Sequence, residues 1–192
     1  MPPEGKSRRS APATRKRILD AAETLILEGG PGALVLDEVA RRAEVSKGGL
    51  LYHFPSKRAL VDGLLERLID RFQEQQATQA AEEANTPGGW TRAYLDATVA
   101  RDGSPADESA HLLASLLVNF GEDKAALDPL RDAFGRWQEE IEKGAADPVG
   151  DTIVRLAADG LWMTQLLGLK PLPPRLARAV VARLVEMTRR PK

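Results

Sequence analysis

Between Ser46 and Arg58 the chain gathers groups that carry positive charge or donate hydrogen bonds: Ser46, Lys47, Tyr52, His53, Lys57 and Arg58, with Gly48 and Gly49 side by side among them. Lys47 supplies a cation, and the phenol of Tyr52 and the imidazole of His53 can donate to phosphate oxygens. Two adjacent glycines at the start of a helix cost about 1 kcal/mol each relative to alanine. Close approach of the backbone to another surface is one physical reason to accept that cost. This is chemistry for holding a polyanion. Little elsewhere suits catalysis. Cysteine is absent and the two histidines, His53 and His111, lie far apart. No disulfide framework, thiolate metal site or histidine-rich zinc site is expected. There is no nucleotide fingerprint and no Gly-x-Ser-x-Gly elbow. Gly5-Lys6-Ser7 imitates the end of a phosphate loop but lacks the upstream glycine, the strand and the apolar helix. Glu139-Glu140 reads as helix-surface charge. The expectation is therefore no catalytic residue, no metal, no cofactor and no enzyme.

The charge distribution agrees with a polyanion at one end. The net charge of the 192 residues is −1, but residues 1–60 hold 11 Lys and Arg against 7 Asp and Glu, while the remainder holds 16 against 21. The front is +4 and the rear −5, a modest asymmetry that points only the front at a polyanion. Apolar residues make up 43% of the chain, enough for a real core. The longest nearly unbroken apolar run, around Leu112 to Phe120, is too short to span a membrane. The basic N-terminus lacks an apolar h-region, so a soluble, cytoplasmic protein is expected.

The elements that must position these groups are helical. Residues 1–13, rich in Pro, Ser, Gly and Arg without an apolar period, read as a flexible basic arm. From Thr14 onward Ile18, Ala22, Leu25 and Ile26 form one stripe, ended by Gly29-Gly30-Pro31-Gly32. A short helix follows at about 37–44, with Val39, Ala40 and Ala43 inward. After a tight turn, Ser46 is a good N-cap for a second short helix at about 47–54. Ser56 caps a long helix striped by Leu60, Leu64, Leu68 and Phe72, extending to about residue 84. Beyond a break at 85–89, helices are expected at about 90–101, 107–120, 125–144, 149–168 and 174–189. No convincing strand appears.

Two short helices joined by a tight turn after a longer one make a helix-turn-helix module, whose second short helix enters the major groove by its N-terminal residues. Here those are Lys47, Gly48, Gly49 and Leu50. Amides at the starts of this helix and the next, with Lys57 and Arg58 beside the latter, would face the DNA backbone. Taken singly, each residue also fits a plainer role: Lys57 as a solvated lysine, Tyr52 with its ring packed on the module's core.

The segment Val39-Ala40-Arg41-Arg42-Ala43-Glu44-Val45-Ser46-Lys47-Gly48-Gly49-Leu50-Leu51-Tyr52-His53-Phe54-Pro55-Ser56-Lys57-Arg58-Ala59-Leu60 resembles the DNA-binding domain of the tetracycline-repressor (TetR) family. The family signature runs from an apolar-Ala pair through Val-Ser-x-Gly to Tyr-His-Phe and Lys-x-x-Leu. The resemblance covers about residues 14–65. Two positions depart from it. Glu44 stands where the turn usually carries glycine, and Val35 where a threonine usually caps the second helix. Valine cannot cap, so that helix is expected to start later, near Asp37.

The resemblance implies an all-α protein of about nine helices. A three-helix DNA-binding domain at 14–60 would precede a helical regulatory and dimerisation domain at 61–192. It implies a homodimer on a roughly palindromic duplex operator. Lys47, Gly48 and Gly49 would lie near bases, and Ser46, Tyr52, His53 and Lys57 at phosphates. The arm cations Lys6, Arg8, Arg9, Arg15, Lys16 and Arg17 would reach the backbone or minor groove, although for the first ten residues a solvated tail is the better reading. It further implies a helical ligand pocket and dimerisation through the last two helices. Leu176, Val180, Leu184 and Met187, with Ala177, Val181 and Val185 beside them, form a broad apolar stripe. Ala157, Ala158 and Gly160 would allow close backbone approach.

Trp90, Tyr94, His111, Phe120, Phe134, Trp137 and Trp162 all lie in the rear half. They could line a pocket for a hydrophobic ligand or an aromatic cation, or simply pack a core. Arg155-Leu156-Ala157-Ala158-Asp159-Gly160-Leu161-Trp162 resembles a subgroup of the family that includes broad-specificity drug-responsive repressors. The expected function is a homodimeric repressor released by a small hydrophobic or aromatic effector of unknown identity. The alternative is an activator, or a regulator controlled by a protein partner.

Overall fold

The computed structural model describes residues 11–82, 86–106, 109–120, 124–145 and 147–189. Nine α-helices and no strand occur among them. The chain divides into two compact units, Met1–Leu64 and Leu65–Lys192.

In the first unit, α1 (Ala11–Gly29) buries Ile18, Leu19, Ala21, Ala22, Leu25 and Ile26. This is the expected stripe, but the helix starts three residues before Thr14. Arg15, Lys16 and Arg17 are therefore helical residues and not part of an arm; residues 1–10, with Lys6, Arg8 and Arg9, lie outside the described residues. After α1 the chain turns through Gly30 at φ 69° and the 3-10 helix Pro31–Ala33. Helix α2 (Leu36–Arg42) begins one residue before the expected Asp37. Its N-cap Val35 is extended, makes no side-chain cap and leaves its side chain exposed. Asp37 and Glu38 in the first turn supply the negative charge that a helix start favours. Helix α3 (Lys47–His53) and the start of α4 (Lys57–Glu82) follow. The core joins Ile18, Ile26, Leu34, Val39, Leu50, Phe54, Leu60 and Leu64, all essentially inaccessible. Gly63 is small for a packing reason: a Cβ there would lie 2.7 Å from the Phe54 ring.

In the second unit the rest of α4 joins α5 (Gly89–Thr98), α6 (Ser109–Phe120), α7 (Asp128–Gly144), α8 (Pro148–Leu166) and α9 (Pro174–Thr188). Helix α5 is buried on nearly every side and packs against α7, α8 and α9. It ends at Thr98, short of the expected residue 101. Val99 is extended and bridges to Pro105, and the Asp102 carboxylate takes the Ser104 amide and hydroxyl to shape the intervening turn. The expected helix at 125–144 opens as a 3-10 turn, Lys124–Leu127, before α7. Asp147 caps α8 by accepting from the Gly150 amide at 2.9 Å.

Arg92 closes the base of this unit. Buried, it donates to the carbonyls of Pro87 (2.9 Å) and Thr188 (3.1 Å) and to the Thr86 hydroxyl (2.8 Å). A guanidinium on the last turn of α9 also meets the negative end of that helix. Gly88 makes the junction possible: its φ is 71°, and a Cβ would lie 2.3 Å from the Thr188 carbonyl oxygen. No helix among the described residues is long and apolar enough to cross a membrane.

Candidate nucleic-acid interface and apolar cavity

The short helix α3 owes its existence to its cap. Ser46 is extended, and its Oγ accepts from the Gly49 amide at 3.0 Å. Seven residues are too few for a helix to stand alone, and Leu50, fully buried, pins this one to the unit's core. The rest of α3 is spent on its surface. Ser46, Lys47 and Gly48 are exposed, and Tyr52 is 82% exposed, which removes the possibility that its ring packs on the core. The rings of Tyr52 and His53 meet edge to face, at 5.3 Å between centroids. Lys57 is exposed in the first turn of α4, beside Ser56, whose Oγ accepts from the Ala59 amide.

The two glycines differ. A Cβ on Gly49 would lie 3.2 Å from the capping Ser46 Oγ, so its smallness protects the cap. A Cβ on Gly48 would meet nothing within 4 Å, and its φ is not positive. Nothing within the described fold requires glycine there.

The turn between α2 and α3 carries the departure seen in the sequence. Glu44 has φ 51°, the left-handed conformation that glycine adopts without strain. Arg17 of α1 holds it: the guanidinium donates to the carbonyls of Ala43 and of Glu44 (3.2 Å) and lies 3.7 Å from the Glu44 carboxylate. The other surface cations are also engaged. Lys47 pairs with Asp37 at 2.9 Å, Arg42 with Glu28 at 2.6 Å and Arg41 with Glu38. The Arg41 hydrogen bond holds the Glu38 carboxyl below its usual range. Such exposed pairs are weak, so a phosphate can replace the carboxylate cheaply.

The second unit holds a cavity of about 80 Å³. Helix α4 contributes Leu65, Leu68, Ile69 and Phe72, and α7 contributes Leu130, Phe134 and Trp137. Tyr94 and Thr98 come from α5, and Asp159 and Trp162 from α8. The aromatic rings form one cluster: Phe72 and Trp137 at 4.7 Å, Phe134 and Trp137 at 5.0 Å, Tyr94 and Trp137 at 5.7 Å. One polar relay enters it. The Tyr94 hydroxyl donates to Asp159 Oδ1 at 2.6 Å, and Arg155 donates to Asp159 Oδ2 at 3.0 Å and to Gln138 at 3.0 Å. Burial pushes the Asp159 carboxyl up, opposed by the Tyr94 hydrogen bond and the Arg155 charge. Burial, then the neighbouring Asp159 charge, pushes the Tyr94 phenol up as well. Among the described residues the buried Trp137 indole N–H has no hydrogen-bond partner.

Four of the expected pocket residues, Tyr94, Phe134, Trp137 and Trp162, thus meet at this cavity. Trp90 does not. It stacks on Tyr94 at 5.7 Å and lines a separate hollow of about 290 Å³, walled by glycines, Thr91, Glu140 and the buried Asp151. Trp90 precedes Tyr94 by four residues on the same face of α5, one turn nearer the helix start, and that turn carries it past the cavity. His111 and Phe120 belong to α6, but their side chains lie outside the described residues. Sequence reasoning missed Phe72 and Asp159 as cavity residues. The i, i+4 spacing of Arg155 and Asp159 was readable, but it has the form of an ordinary surface pair.

Among known proteins, residues 18–64 match the family model for bacterial regulatory proteins of the tetR family, and residues 88–189 match the tetracyclin repressor-like C-terminal domain. The HTH-type transcriptional repressor KstR2 of Rhodococcus jostii is 29% identical over 153 residues, 76% of this chain and 72% of its own. The crystal structure of a transcriptional regulator from Rhodococcus sp. Rha1 superposes with a TM-score of 0.70 at 20% identity, covering 91% of this chain and 95% of its own. The multidrug binding protein EbrR, complexed with imidazole, superposes with a TM-score of 0.58 at 25% identity, over 88% of this chain and 93% of its own.

Proposed function

Because the chain belongs to the TetR family of helix-turn-helix transcriptional regulators, we propose that it is a homodimeric repressor released from a palindromic operator by a small hydrophobic or aromatic effector. Each copy sets α3 in a major groove, with Lys47, Gly48 and Gly49 toward bases and Ser46, Tyr52, His53 and Lys57 toward phosphates. No catalytic role is proposed. The observation that carries the reading is the surface of α3: one buried anchor, Leu50, and an outward face on which Gly48 serves no internal need while Tyr52 stands 82% exposed. A folded chain gains nothing by itself from that face.

A second copy accounts for a further feature. Helix α8 carries an exposed row at Val149, Ile153, Leu156, Gly160 and Met163, continued by Leu167 just past its end, and the apolar side chains of the row are 41–71% exposed. Steps of four and three residues keep the row on one helix face, as helix pairing requires. A two-fold axis crossing near Gly160 would pair the row with itself. Leu176, exposed at the start of α9, extends it. This amends the expected interface: Ala177, Val181 and Leu184 face the unit's own core, and Ala158 is fully buried.

Release would use α4, one continuous helix whose first turns belong to the first unit and whose Leu65, Leu68, Ile69 and Phe72 line the cavity. An effector that favours one placement of α4 changes the separation of the two reading helices. Effector and operator then weaken one another by the same factor. The multidrug relative EbrR is complexed with small molecules, which supports the cavity as the effector site.

Selection from a random duplex library tests the reading, followed by salt titration of the best site. Recovery of a palindrome bound by two copies, with weaker binding by Lys47→Ala and Tyr52→Ala, supports it. Loss of a phosphate contact lowers the salt slope by about one. Failure to enrich any sequence would overturn it.

A further inference from the structure

Asp159 in the cavity is answered by Arg155, whereas another buried acid of this unit is only half satisfied. Asp151, in the first turn of α8, is 4% exposed, and its Oδ2 accepts from the Thr91 hydroxyl at 2.9 Å. Among the described residues nothing donates to its Oδ1. That oxygen is not sealed in the protein, as the unpaired polar atoms of Gln76, Gln79 and Trp137 are. The Asp151 side chain instead lines the hollow of about 290 Å³ that Trp90 also lines. We infer that this hollow is a ligand site in its own right, and that it takes a small organic ammonium ion on the Asp151 carboxylate. The hollow and the aromatic cavity have no lining residue in common, so this inference stands apart from the effector reading of the cavity.

The charge of the ligand follows from the walls. A carboxylate taken out of water is costly unless an opposite charge or a donor answers it. Burial pushes the Asp151 carboxyl up and the Asp147 charge adds to that, against the Thr91 hydrogen bond and the Arg92 charge. The Arg92 guanidinium is already spent on Pro87, Thr86 and Thr188. An ammonium group donating to Oδ1 would make a charge-assisted hydrogen bond, roughly twice as strong as a neutral one. Glu140 of α7 is a second acid on the wall, held only by an exposed pairing with Lys143 at 3.6 Å, and it adds negative potential. Trp90, half-buried, contributes an aromatic wall of the kind that attracts cations.

The shape admits such a ligand. Glycine and alanine, at Ala80, Gly88, Gly89, Gly144 and Ala145, form much of the remaining wall and leave the hollow wide. One water occupies roughly 10–15 Å³ on this measure, so about 290 Å³ holds a short-chain amine with water beside it.

Three probes of similar size separate the possibilities: butylammonium, 1-butanol and butyrate. Each is titrated into the whole protein and followed by the three tryptophan indole resonances in a nitrogen–proton correlation spectrum, with Trp90→Phe and Trp137→Phe assigning their peaks. Butylammonium is expected to bind about tenfold more tightly than butanol, the gain of one charge-assisted hydrogen bond. Butyrate should bind most weakly. The Trp90 resonance should move and that of Trp137 should stay. Asp151→Asn keeps an acceptor for Thr91 and removes the charge, so it should bring butylammonium to the level of butanol. Butanol or butyrate binding as tightly as the amine, a shift at Trp137 in place of Trp90, or an unchanged amine affinity in Asp151→Asn would overturn the inference. So would a native protein that binds none of the three. If Asp151→Asn loses structure, Glu140→Gln at an exposed position reads the same field: it should weaken butylammonium about twofold and leave butanol unchanged. Equal amine binding by that variant and the native protein would count against the site.

Discussion

The two units invest their polar side chains in opposite places. In the first, the core is apolar and nearly all the chemistry is outside: Tyr52 stands free of the core and Lys47 rests on an exposed Asp37. In the second, the chemistry is inside: Tyr94, Asp159 and Arg155 form a relay within an aromatic cluster, and Arg92 is buried beneath it. A surface that must exchange carboxylates for phosphates needs weak, exposed pairs. Charges taken out of water in the second unit have to be matched by one another. The same ion pair, Lys with Asp or Arg with Asp, is thus cheap to break in one unit and costly in the other.

The strongest break in this contrast is Asp159→Ala. It strands the Arg155 guanidinium and the Tyr94 hydroxyl in a space where little water reaches them. Breaking one side of a buried pair costs about 3–5 kcal/mol, and the residual exposure of 11–16% places this one toward the lower end. Thermal melting should fall by roughly 10 °C for a chain of this size. Replacing both partners, as in Arg155→Leu with Asp159→Leu, should recover most of that loss, because no charge is left unmatched. A double variant as unstable as the single one would mean that the relay holds the fold through its packing, not through its charge balance.

Lys47→Ala is the mirror case. The Lys47–Asp37 pair is more than 60% exposed on both sides, so melting should move by less than about 1 °C. Operator affinity should fall by about 1–3 kcal/mol. A loss confined to one base position places Lys47 at a base edge; a uniform loss with a lower salt slope places it at a phosphate. A clear fall in stability would make Lys47 a structural residue and blur the contrast between the units.

This asymmetry also explains what the sequence could reveal. Ser46, Gly48, Tyr52 and Lys57 lie within a dozen residues, on a cap, a short helix and the next helix start, so their relation is local and readable. Tyr94 and Asp159 are 65 residues apart and meet only because α5 and α8 pack together. Composition gathered the rear aromatics but could not say that Trp90, one turn before Tyr94 on α5, lines a separate hollow. The exposed row of α8 was present in the spacing of Val149, Ile153, Leu156 and Met163. It was masked by the buried Val154 and Ala158, which make the helix apolar on two faces.

Gly48→Ala sharpens the contrast with a pair of opposite signs. Alanine finds open space and an ordinary backbone, so the protein should gain up to about 1 kcal/mol in stability. In the proposed complex the added methyl would meet DNA, and operator affinity should drop about tenfold. Gly63→Ala has no such division: its Cβ meets the Phe54 ring at 2.7 Å, and stability and binding should decline together. Equal operator binding by Gly48→Ala and the native protein would remove close approach as the reason for this glycine.

The smallest effect is expected at Glu44, where the first unit carries its own strain. A side chain at φ 51° costs about 1 kcal/mol. Glu44→Gly relieves that strain but gives up the 3.7 Å contact with Arg17 and frees the unfolded chain. The net gain should be about 0.5 kcal/mol, visible as a rise in melting temperature of a few degrees at most. Glu44→Ala separates the causes, because it removes the carboxylate and keeps the strain. If alanine matches glutamate while glycine exceeds both, the backbone angle is the source. If alanine falls below glutamate, the Arg17 contact outweighs the angle. The turn is then held from α1 by a charged pair, which would give the first unit one structural ion pair of the kind that otherwise distinguishes the second.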